Sequence, residues 1–411
     1  MTTFADQRVD DLADFYRDLH RHPELSFQEH RTAGRILDAI SGLGLDVHPG
    51  IGGTGIAAVL RNGDGPVVLL RADMDALPVQ EKTGLDYASV DVGTDPDGHT
   101  VPVMHACGHD MHVTCLVGAL RILAGARSEW SGTVVAVFQP AEERGSGAKA
   151  MVEDGLFEKV PVPQVVLGQH VGPLLAGQIA YRPGVALAGA DVVTMRLFGR
   201  GGHGSRPETT VDPVVLASSV VLKLQTIVSR ELSALTPAVV TVGYLRAGTK
   251  HNIIPDEAEL GLSIRSFSPE VRDQILAAVE RIARGEALAA GCGKDPEIVR
   301  HEGFDPLQND PVATGRVAEA FLERFGRERV FELSEPITGS EDVGVFGAAV
   351  GAPTVFWFWG GFSQARFDAD RGQVPSNHAS DFAPEIEPTL STGVEALVVA
   401  ARAWLGRPAS V

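Results

Sequence analysis

Hydrophobic and polar positions follow two different patterns in the first and last parts of the chain. Continuous apolar runs rich in β-branched residues lie at 66–70, 133–138, 165–167 and 352–359. Between them, apolar residues recur at helical spacing, as they do near the amino terminus over 6–20 and 28–40. Such runs, separated by helical segments, are typical of parallel strands buried on both faces. The pattern predicts an α/β domain built on a mostly parallel sheet.

A different order of elements is predicted in the middle of the chain. Strands are expected over 191–198, 238–245, 258–267 and 297–301, and helices over 212–230 and 269–289. The order β-α-β-β-α-β is that of a ferredoxin-like α+β domain. We therefore predict an α/β domain in two parts, residues 1–188 and 303–411, with a ferredoxin-like domain inserted over 189–302.

The first helix of the insertion is apolar over more than one face. Its apolar residues include Val214, Val215, Leu216, Val220, Val221 and Leu224. This excess indicates either a surface that contacts a partner or a core helix that is packed on several sides.

Composition narrows the class of protein. A chain of 411 residues is long for a single core, which agrees with two domains. The net charge of −18 argues against nucleic acid or an anionic membrane as a partner. We find neither an apolar run of about 18 residues nor a secretory leader at the amino terminus. Three cysteines without framework spacing fit a reducing compartment, and we expect a cytoplasmic protein.

Ionisable residues follow three of the predicted strands. The first strand leads into Asp73 and Asp75, the second into Glu142 and Glu143, and the third into His170. In an open α/β sheet the ligand crevice lies at the carboxyl ends of the parallel strands. We therefore expect these side chains to converge.

The glycines over 50–55 match a dinucleotide fingerprint but precede a strand, so they predict a turn rather than a nucleotide site.

The stretch from Met104 to His112 holds one thiol, three imidazoles and a carboxyl group. If the segment is extended, Cys107 and His109 face the same side and can reach a common metal. Asp110 is expected to be the N-cap of the helix that follows. Thiolate and imidazole together suit a transition metal such as zinc. The alternative is a buried cysteine with a capping aspartate and solvated histidines.

Two metal ions can share one bridging ligand, and the chain offers enough donors for such a centre. The candidate ligands are Cys107, His109, Glu143, His170 and His378, with Cys107 as the bridge. Glu142 is then available as a general base, and Asp75 can orient a ligand imidazole. The alternative for Glu142 and Glu143 is an exposed charged turn.

Five motifs occur along the chain in the order LRADMDALP, MHACGHD, FQPAEE, GQH and GRGGHGSRP. Together they resemble the aminoacylase/carboxypeptidase family of metal-dependent hydrolases, metallopeptidase family 20. The cysteine in MHACGHD, together with RDLHRHPELSFQEH and NHASDF, resembles its amidohydrolase branch. That branch includes hippurate, auxin-conjugate and N-acyl-amino-acid hydrolases. The resemblance extends from about residue 12 to residue 384.

The resemblance implies a role for each candidate residue. Cys107, His109, Glu143, His170 and His378 would bind two divalent ions, with Glu142 as the base and Asp75 as the orienting carboxylate. The inserted domain would be a lid and dimerisation domain. From it, His203 would polarise the scissile carbonyl, while Asn252 and Arg265 would bind the substrate carboxylate. Without the resemblance, these three would be an exposed loop histidine, a turn asparagine and a surface arginine.

We therefore expect a homodimeric enzyme that hydrolyses the amide bond of N-acyl amino acids. The alternatives are a dipeptidase or carboxypeptidase of the same fold and a non-catalytic metal-binding relic; a base beside Glu143 argues against the relic. The candidate donors can bind Zn, Mn, Co or Ni.

Residues 87–103 form a longer segment than the family usually has. This segment either alters substrate access or is a surface excursion.

Overall fold

The computed structural model describes residues 9–301 and 303–406. Residues 6–8 of the first predicted helix, and the predicted domain ends at residues 1 and 411, lie outside these ranges. The chain divides into two compact units. The first comprises the described parts of Met1–Ala186, Gln308–Pro336 and Asp342–Val411, and the second comprises Leu187–Leu307 and Ile337–Glu341.

The segment 337–341 returns to the second unit, although the sequence predicts it in the first. The backbone N–H of Ala188 donates hydrogen bonds to the carbonyls of Ile337 and Gly339. These main-chain bonds join segments that are distant in sequence, so no local pattern indicates them. The predicted limits of the insertion, 189 and 302, both lie inside this unit.

The described residues contain the following α-helices, numbered in chain order: α1 Val9–Arg21, α2 His30–Ile40, α3 His109–Gly125, α4 Gly147–Glu153, α5 Leu156–Lys159, α6 Pro213–Thr226, α7 Pro269–Ala289, α8 Pro311–Phe325, α9 Gly344–Val350, α10 Gln364–Ala369 and α11 Ile386–Trp404. Helix α2 begins two residues later than predicted. Short 3₁₀ turns lie at Arg127–Glu129, Glu142–Arg144 and Pro207–Thr209, and a π-helical turn at Ile227–Glu231 follows α6.

The strands, likewise in chain order, are β1 Asp46–Ile51, β2 Gly55–Asn62, β3 Val67–Asp73, β4 Val92–Thr94, β5 Thr100–Pro102, β6 Gly132–Gln139, β7 Val165–Leu175, β8 Ile179–Tyr181, β9 Gly184–Leu187, β10 Gly189–Phe198, β11 Gly202–His203, β12 Ala238–Ala247, β13 Ile253–Ile254, β14 Glu257–Ser266, β15 Glu297–Arg300, β16 Leu307–Asn309, β17 Val330–Glu332 and β18 Thr354–Phe362.

The first unit is built on an eight-stranded sheet in the order β1-β2-β6-β3-β7-β18-β8-β17. Its central strands β6, β3, β7 and β18 run parallel, and each corresponds to one of the predicted apolar runs. Helices α3 and α11 pack against each other and against this sheet. Almost every residue of β3, β6 and β18 is buried, as expected for a sheet covered on both faces. The predicted α/β class is confirmed.

Two central strands extend beyond their predicted ends. Strand β3 continues through Arg71 to Asp73, and β7 continues through His170 to Leu175. Polar side chains expected in loops are therefore held on sheet backbone, where main-chain pairing limits their movement.

The second unit contains a four-stranded antiparallel sheet in the order β12-β14-β10-β15. With α6 and α7, its elements follow the order β-α-β-β-α-β along the chain. This is the ferredoxin-like arrangement predicted for the insertion. Leu216, Val220 and Leu224 of α6 are buried, whereas Val215 and Leu222 are 66% and 73% exposed. Helix α6 thus has one packed apolar face and one exposed apolar face.

The stretch Pro213–Glu231 is long and apolar enough, by length and composition, to cross a membrane, with a mean hydropathy of 1.2 and 33% of it buried. This corrects the expectation of no such run. The stretch is apolar on average, although Ser218, Ser219 and Lys223 interrupt its apolar residues. A single helix of this kind is weak evidence for a membrane span.

The start of α3 differs from the prediction. Gly108, with φ +83°, occupies the N-cap position, and His109 is the first helical residue. Asp110 is therefore not the cap, and its Oδ2 accepts a hydrogen bond from His20 Nδ1 at 2.7 Å. Residues 105–108 form a turn rather than an extended segment, because a left-handed glycine reverses the chain there. The thiol and imidazole meet at a turn-to-helix junction, not along one face of a strand.

Candidate metal centre and active site

Four segments of the first unit deliver the five predicted metal ligands. Cys107 lies in the turn before α3, and His109 is the first residue of that helix. Glu143 lies in the 3₁₀ turn after β6, and His170 lies within β7. His378 lies in the loop before α11, where its φ of +71° and a hydrogen bond from its N–H to the carbonyl of Ala106 hold the backbone.

The structure brings these five side chains together. One donor atom from each of Cys107, His109 and Glu143 lies within 4.8 Å of the others. Cys107 Sγ is 3.4 Å from His170 Nε2, and His378 Nε2 is 3.3 Å from Glu143 Oε1. A second set of donors, Asp73, His109, His112 and His170, meets the same 4.8 Å limit and shares His109 with the first.

Two observations show that this donor set fits divalent cations. Among the described residues, His109 Nε2 and Glu143 Oε1 are buried and have no hydrogen-bond partner, although the two atoms are 3.7 Å apart. Burial, together with the negative charges of Glu143, Glu142 and Asp73, raises the pKa of the Cys107 thiol. A cation bound among these groups would satisfy the unpaired atoms and offset the excess negative charge.

Asp75 fixes several parts of the centre. Its Oδ1 accepts from His109 Nδ1 at 3.2 Å, which leaves His109 Nε2 as the atom free to bind metal. The backbone N–H groups of Glu142 and Glu143 donate to its two oxygens, each at 3.1 Å. Ser26 Oγ donates to Oδ2 at 2.7 Å. One buried carboxylate thereby orients a candidate ligand and the turn that bears two glutamates.

Glu142 is 8% exposed and lies close to the candidate ligands. Its Oε2 is 3.9 Å from His109 Nε2, and it follows Ala141, a residue with φ +49°. The turn directs both Glu142 and Glu143 toward His109, so consecutive residues share one site. The alternative of an exposed charged turn is wrong for Glu142 and Glu143, whose side chains are each 9% exposed, although Arg144 in the same turn is exposed.

The backbone of Val171 links three of the candidate ligands. Its carbonyl accepts from His170 Nδ1 at 2.8 Å and from Asn377 Nδ2 at 3.1 Å. The first bond leaves His170 Nε2 facing Cys107. Asn377 precedes His378 and also donates to the carbonyl of Cys107 at 3.2 Å.

His112 is not available as a ligand, although it belongs to one candidate set. The N–H of Val171 donates to His112 Nε2 at 3.0 Å, so the ring proton resides on Nδ1, which donates to Asp73 Oδ1 at 2.5 Å. Asp73 Oδ2 in turn accepts from Arg71 Nη1 at 2.6 Å. Both nitrogens of His112 are occupied by protein partners.

Sequence reasoning assigned no role to Arg71 or His112 and gave Asp73 none beyond its position at a strand end. The one available indication was an arginine inside an apolar strand run, because a fully buried guanidinium needs carboxylate or carbonyl partners. Arg71 contacts Gln139 and Asp342 as well as Asp73. Asp342 is distant in sequence, so the network itself could not be inferred.

A second buried polar cluster lies beside α3. His20 contacts Asp110 through Nδ1 and Glu81 through Nε2, at 2.7 and 3.1 Å. Burial alone would lower the pKa of His20, but these two carboxylates raise it to about 9. His105 is also buried, and burial lowers its pKa to about 4. The first imidazole is therefore a cation at neutral pH, and the second is neutral.

The remaining predicted site residues belong to the second unit. His203 lies on β11, and its Nδ1 accepts from the N–H of Ser205 at 3.1 Å, so Nε2 carries the ring proton. The carbonyl of Asn252 accepts from the N–H of Gly204 at 2.9 Å, which brings Asn252 next to this turn. Arg265 lies on β14, opposite Val239 of β12. His203 and Asn252 are exposed, and Arg265 is half-buried.

The long segment 87–103 contains a small hairpin formed by β4 and β5. It contacts the amino-terminal segment of the first unit through a hydrogen bond from Gln28 Nε2 to the carbonyl of Thr94 and through an ion pair between His22 and Asp91. The hairpin therefore packs on residues 22–28, the segment that carries Ser26.

Comparison with known proteins gives consistent results. The family model described as peptidase family M20/M25/M40 matches residues 69–402. An N-acetylcysteine deacetylase of Bacillus subtilis is 38% identical over 339 residues, which cover 82% of this chain and 84% of that protein. A hippurate hydrolase of Campylobacter jejuni is 39% identical over 332 residues, 80% of this chain and 82% of the relative.

Solved structures include a close match in fold. A Bacillus subtilis protein, described as a dinuclear metal-binding peptidase of the M20 family, superposes with a TM-score of 0.75 at 29% identity. The superposition covers 96% of this chain and 98% of that one.

Proposed function

The chain belongs to peptidase family M20/M25/M40, and on that premise we propose that it hydrolyses the amide bond of N-acyl amino acids. The observation that carries this proposal is the buried turn in which Glu142 stands beside Glu143, within 4 Å of the same imidazole nitrogen of His109. A site that only bound metal would need one of these carboxylates. The second carboxylate, that of Glu142, can act as a general base.

The proposed metal centre uses five side chains, Cys107, His109, Glu143, His170 and His378. When bound there, two divalent ions would polarise a carbonyl group and lower the pKa of water. The described contacts support this set, because Asp75 and the carbonyl of Val171 orient His109 and His170 with Nε2 toward the other donors. The ions can be Zn, Mn, Co or Ni, since mixed N, O and S donors accept all four.

Glu142 is the proposed general base. Its carboxylate takes a proton from the attacking water and returns it to the leaving amino group. Its position supports this role, because Glu142 Oε2 lies 3.9 Å from His109 Nε2, an atom of a proposed metal ligand. Asp75 holds the turn and His109 in place throughout and does not exchange protons with the substrate.

Three residues of the second unit are proposed to act on the substrate. His203, with its proton on Nε2, can donate a hydrogen bond to the oxygen of the scissile carbonyl as negative charge develops there. Arg265 and Asn252 are proposed to bind the free carboxylate, for which the planar guanidinium is well suited. These three assignments depend on the family resemblance.

The proposed substrate class follows from the relatives. An N-acetylcysteine deacetylase and a hippurate hydrolase each act, by name, on an acyl group joined to the amino group of an amino acid. A dipeptide differs in having a charged amino group on the acyl side. The dipeptidase alternative therefore predicts a different preference in the same assay.

We also propose that the chain is a homodimer through its second unit. The exposed apolar face of α6, with Val215 and Leu222, lies in the same unit as β12, an edge strand of the four-stranded sheet. An apolar helix face and an unpaired strand edge are the features that a second copy of the chain can cover.

A chelation and add-back assay tests the function. The protein is stripped of metal, and Zn, Mn, Co or Ni is restored separately. Hydrolysis of N-acetyl and N-benzoyl amino acids is then followed beside that of dipeptides. We expect metal-dependent cleavage of the acyl amino acids. Cleavage of dipeptides alone would indicate the dipeptidase, and two bound ions without cleavage of any compound would contradict the proposal.

A further inference from the structure

Three consecutive backbone N–H groups in the turn after β6 donate to carboxylate side chains. The N–H groups of Glu142 and Glu143 donate to Asp75, as described above. The N–H of Ala141 donates to Oε1 of Glu29 at 2.9 Å. Two buried carboxylates from distant segments therefore hold the turn that bears both the proposed base and a proposed ligand.

Glu29 is fully buried and is held by further donors of its own. Its Oε1 also accepts from the N–H of Phe27 at 2.9 Å, and its Oε2 accepts from Thr54 Oγ1 at 2.5 Å. Thr54 and Ala141 are buried as well. Glu29 thus has three donors from three segments, and none of its oxygen atoms faces solvent.

The position of Glu29 at the start of α2 makes its orientation unusual. A residue at the N-cap commonly directs its side chain to the first helical N–H groups. Glu29 occupies that position but makes no such bond. Glu24 makes those bonds instead, accepting from Arg31 N at 3.0 Å and from Thr32 N at 2.8 Å. The side chain of Glu29 is thereby directed to the Ala141 turn.

Ala141 requires such a restraint. It is a non-glycine residue with φ +49°, in the left-handed region that L-residues adopt only when their surroundings hold them there. The hydrogen bond from its N–H to Glu29 links the amino-terminal segment directly to this left-handed backbone conformation. A change at Ala141 would rotate the following residues, which are Glu142 and Glu143.

We infer that Glu29 is a positioning residue that sets the turn 141–143 and, through it, the places of Glu142 and Glu143. The role proposed for Glu142 rests on the proposed function, but the effect on Glu143 does not require catalysis. Because Glu143 is a proposed metal ligand on the same turn, the metal dissociation constant reports the position of the turn without any substrate.

The ionisation of Glu29 guides the choice of variants. Burial, together with the negative charge of Asp75, raises the pKa of Glu29 to about 7. A neutral side chain of the same shape is therefore well tolerated at neutral pH. In Glu29→Gln, the amide oxygen can accept from Phe27 and Ala141, and the amide nitrogen can donate to Thr54. In Glu29→Asp the carboxyl group remains, but it is withdrawn from Ala141 by one methylene group.

The experiment compares Glu29→Ala, Glu29→Asp and Glu29→Gln in the full-length chain, with Glu24→Ala as the matched control. Glu24 serves the same helix with two backbone bonds but does not touch the turn. Zinc or manganese dissociation constants are measured by competition with a chelator, together with kcat, KM and Tm. We expect Glu29→Ala and Glu29→Asp to weaken metal binding about 10-fold or more. We also expect kcat to fall while KM changes little, and Glu29→Gln to stay within about threefold of wild type.

The control separates positioning from general destabilisation. Glu24→Ala should lower Tm but leave metal affinity and kcat unchanged. Equal losses of metal affinity in Glu24→Ala and Glu29→Ala would overturn the inference, as would wild-type metal affinity in Glu29→Asp. If Glu29→Ala does not fold, the comparison of Glu29→Asp with Glu29→Gln decides. Failure of the wild type to cleave any amide would contradict the proposed function, while the metal affinities would still decide the role of Glu29.

Discussion

Glu142 and Glu143 are adjacent residues of the same type, yet the structure supports different tasks for them. Glu143 Oε1 lies 3.3 Å from His378 Nε2 and 3.7 Å from His109 Nε2, between two proposed ligands. Glu142 Oε2 lies 3.9 Å from the same atom, His109 Nε2. The turn conformation, rather than residue type, separates the proposed ligand from the proposed base.

Replacing Glu142 tests this division. We expect Glu142→Gln to retain two metal ions per chain and to lose kcat by a factor of about 10² to 10⁴, the usual contribution of a general base. Metal content by elemental analysis and kcat for an N-acyl amino acid provide the measurement. Glu143→Gln is the control, because it should lose metal. Full turnover by Glu142→Gln would show that another group moves the proton.

His20 predicts a pH dependence of stability. Its pKa in the folded chain is about 9, above the ordinary 6.5, because the protonated ring lies between Asp110 and Glu81. A raised pKa means that the stabilisation is fully present below about pH 6.5 and is lost as the pH rises toward 9. The shift corresponds to on the order of 3 kcal/mol of the free energy of unfolding.

Urea unfolding at pH 6, 7.5 and 9 measures this effect. The free energy of unfolding should fall with pH in the wild type more steeply than in His20→Gln, which cannot gain the charge. The difference between the two proteins isolates His20 from other groups that titrate. Parallel pH profiles would mean that His20 is not the source of the dependence.

At the scale of elements, the candidate centre depends on the junction between the first turn of α3 and strand β7. His112 bridges them, donating to Asp73 and accepting from the N–H of Val171. Val171 then accepts from His170 and Asn377 through its carbonyl. The helix therefore holds the strand residue that orients a proposed ligand.

Replacing His112 should weaken metal binding without removing a ligand. His112→Phe keeps the ring but leaves Asp73 and the N–H of Val171 without these partners. We expect a loss of metal affinity of about 10- to 100-fold, the usual effect of removing a group that supports a ligand. His112→Asn, which can still donate to Asp73, should lose less. Chelator competition gives both values, and unchanged affinity in His112→Phe would contradict a supporting role for this bridge.

At the scale of the whole molecule, the second unit exposes an apolar face on helix α6. The exposed face of α6 and the edge strand β12 support the proposed homodimer, and the other face of the helix is packed in the unit's core. The sequence left two alternatives for this helix, a partner surface or a packed core helix. The structure shows a packed face opposite an exposed apolar one.

A charge on the exposed face tests the assembly. We expect Leu222→Glu to convert a dimer into a monomer, because the carboxylate would lose its hydration at an apolar interface. Light scattering after size-exclusion chromatography measures the mass. Leu288→Glu is the matched control, since Leu288 is 82% exposed on α7 and should leave the mass unchanged. A monomeric wild type would contradict the homodimer.

Local sequence by itself determined the central strands of the first unit and the order of the main elements of the second. Apolar runs identified the central strands β3, β6, β7 and β18, and the alternation of elements identified the ferredoxin-like unit. The motifs identified the family and the candidate ligands, because each motif is a short run of residues that can be recognised without the fold.

Tertiary structure alone decided how the donors are held. Glu29 and Val171 act through hydrogen bonds between segments that are far apart in sequence, and such partners leave no local periodicity. Of the groups that hold the donors, Asp75 is the one that the sequence predicts. Similar imidazoles in one short stretch, His105, His109 and His112, acquire different hydrogen-bond states for the same reason. The left-handed glycine at Gly108 and the return of 337–341 likewise depend on main-chain geometry. Residue patterns carry the propensity of each element, whereas the protonation and direction of a buried side chain depend on the groups that folding places around it.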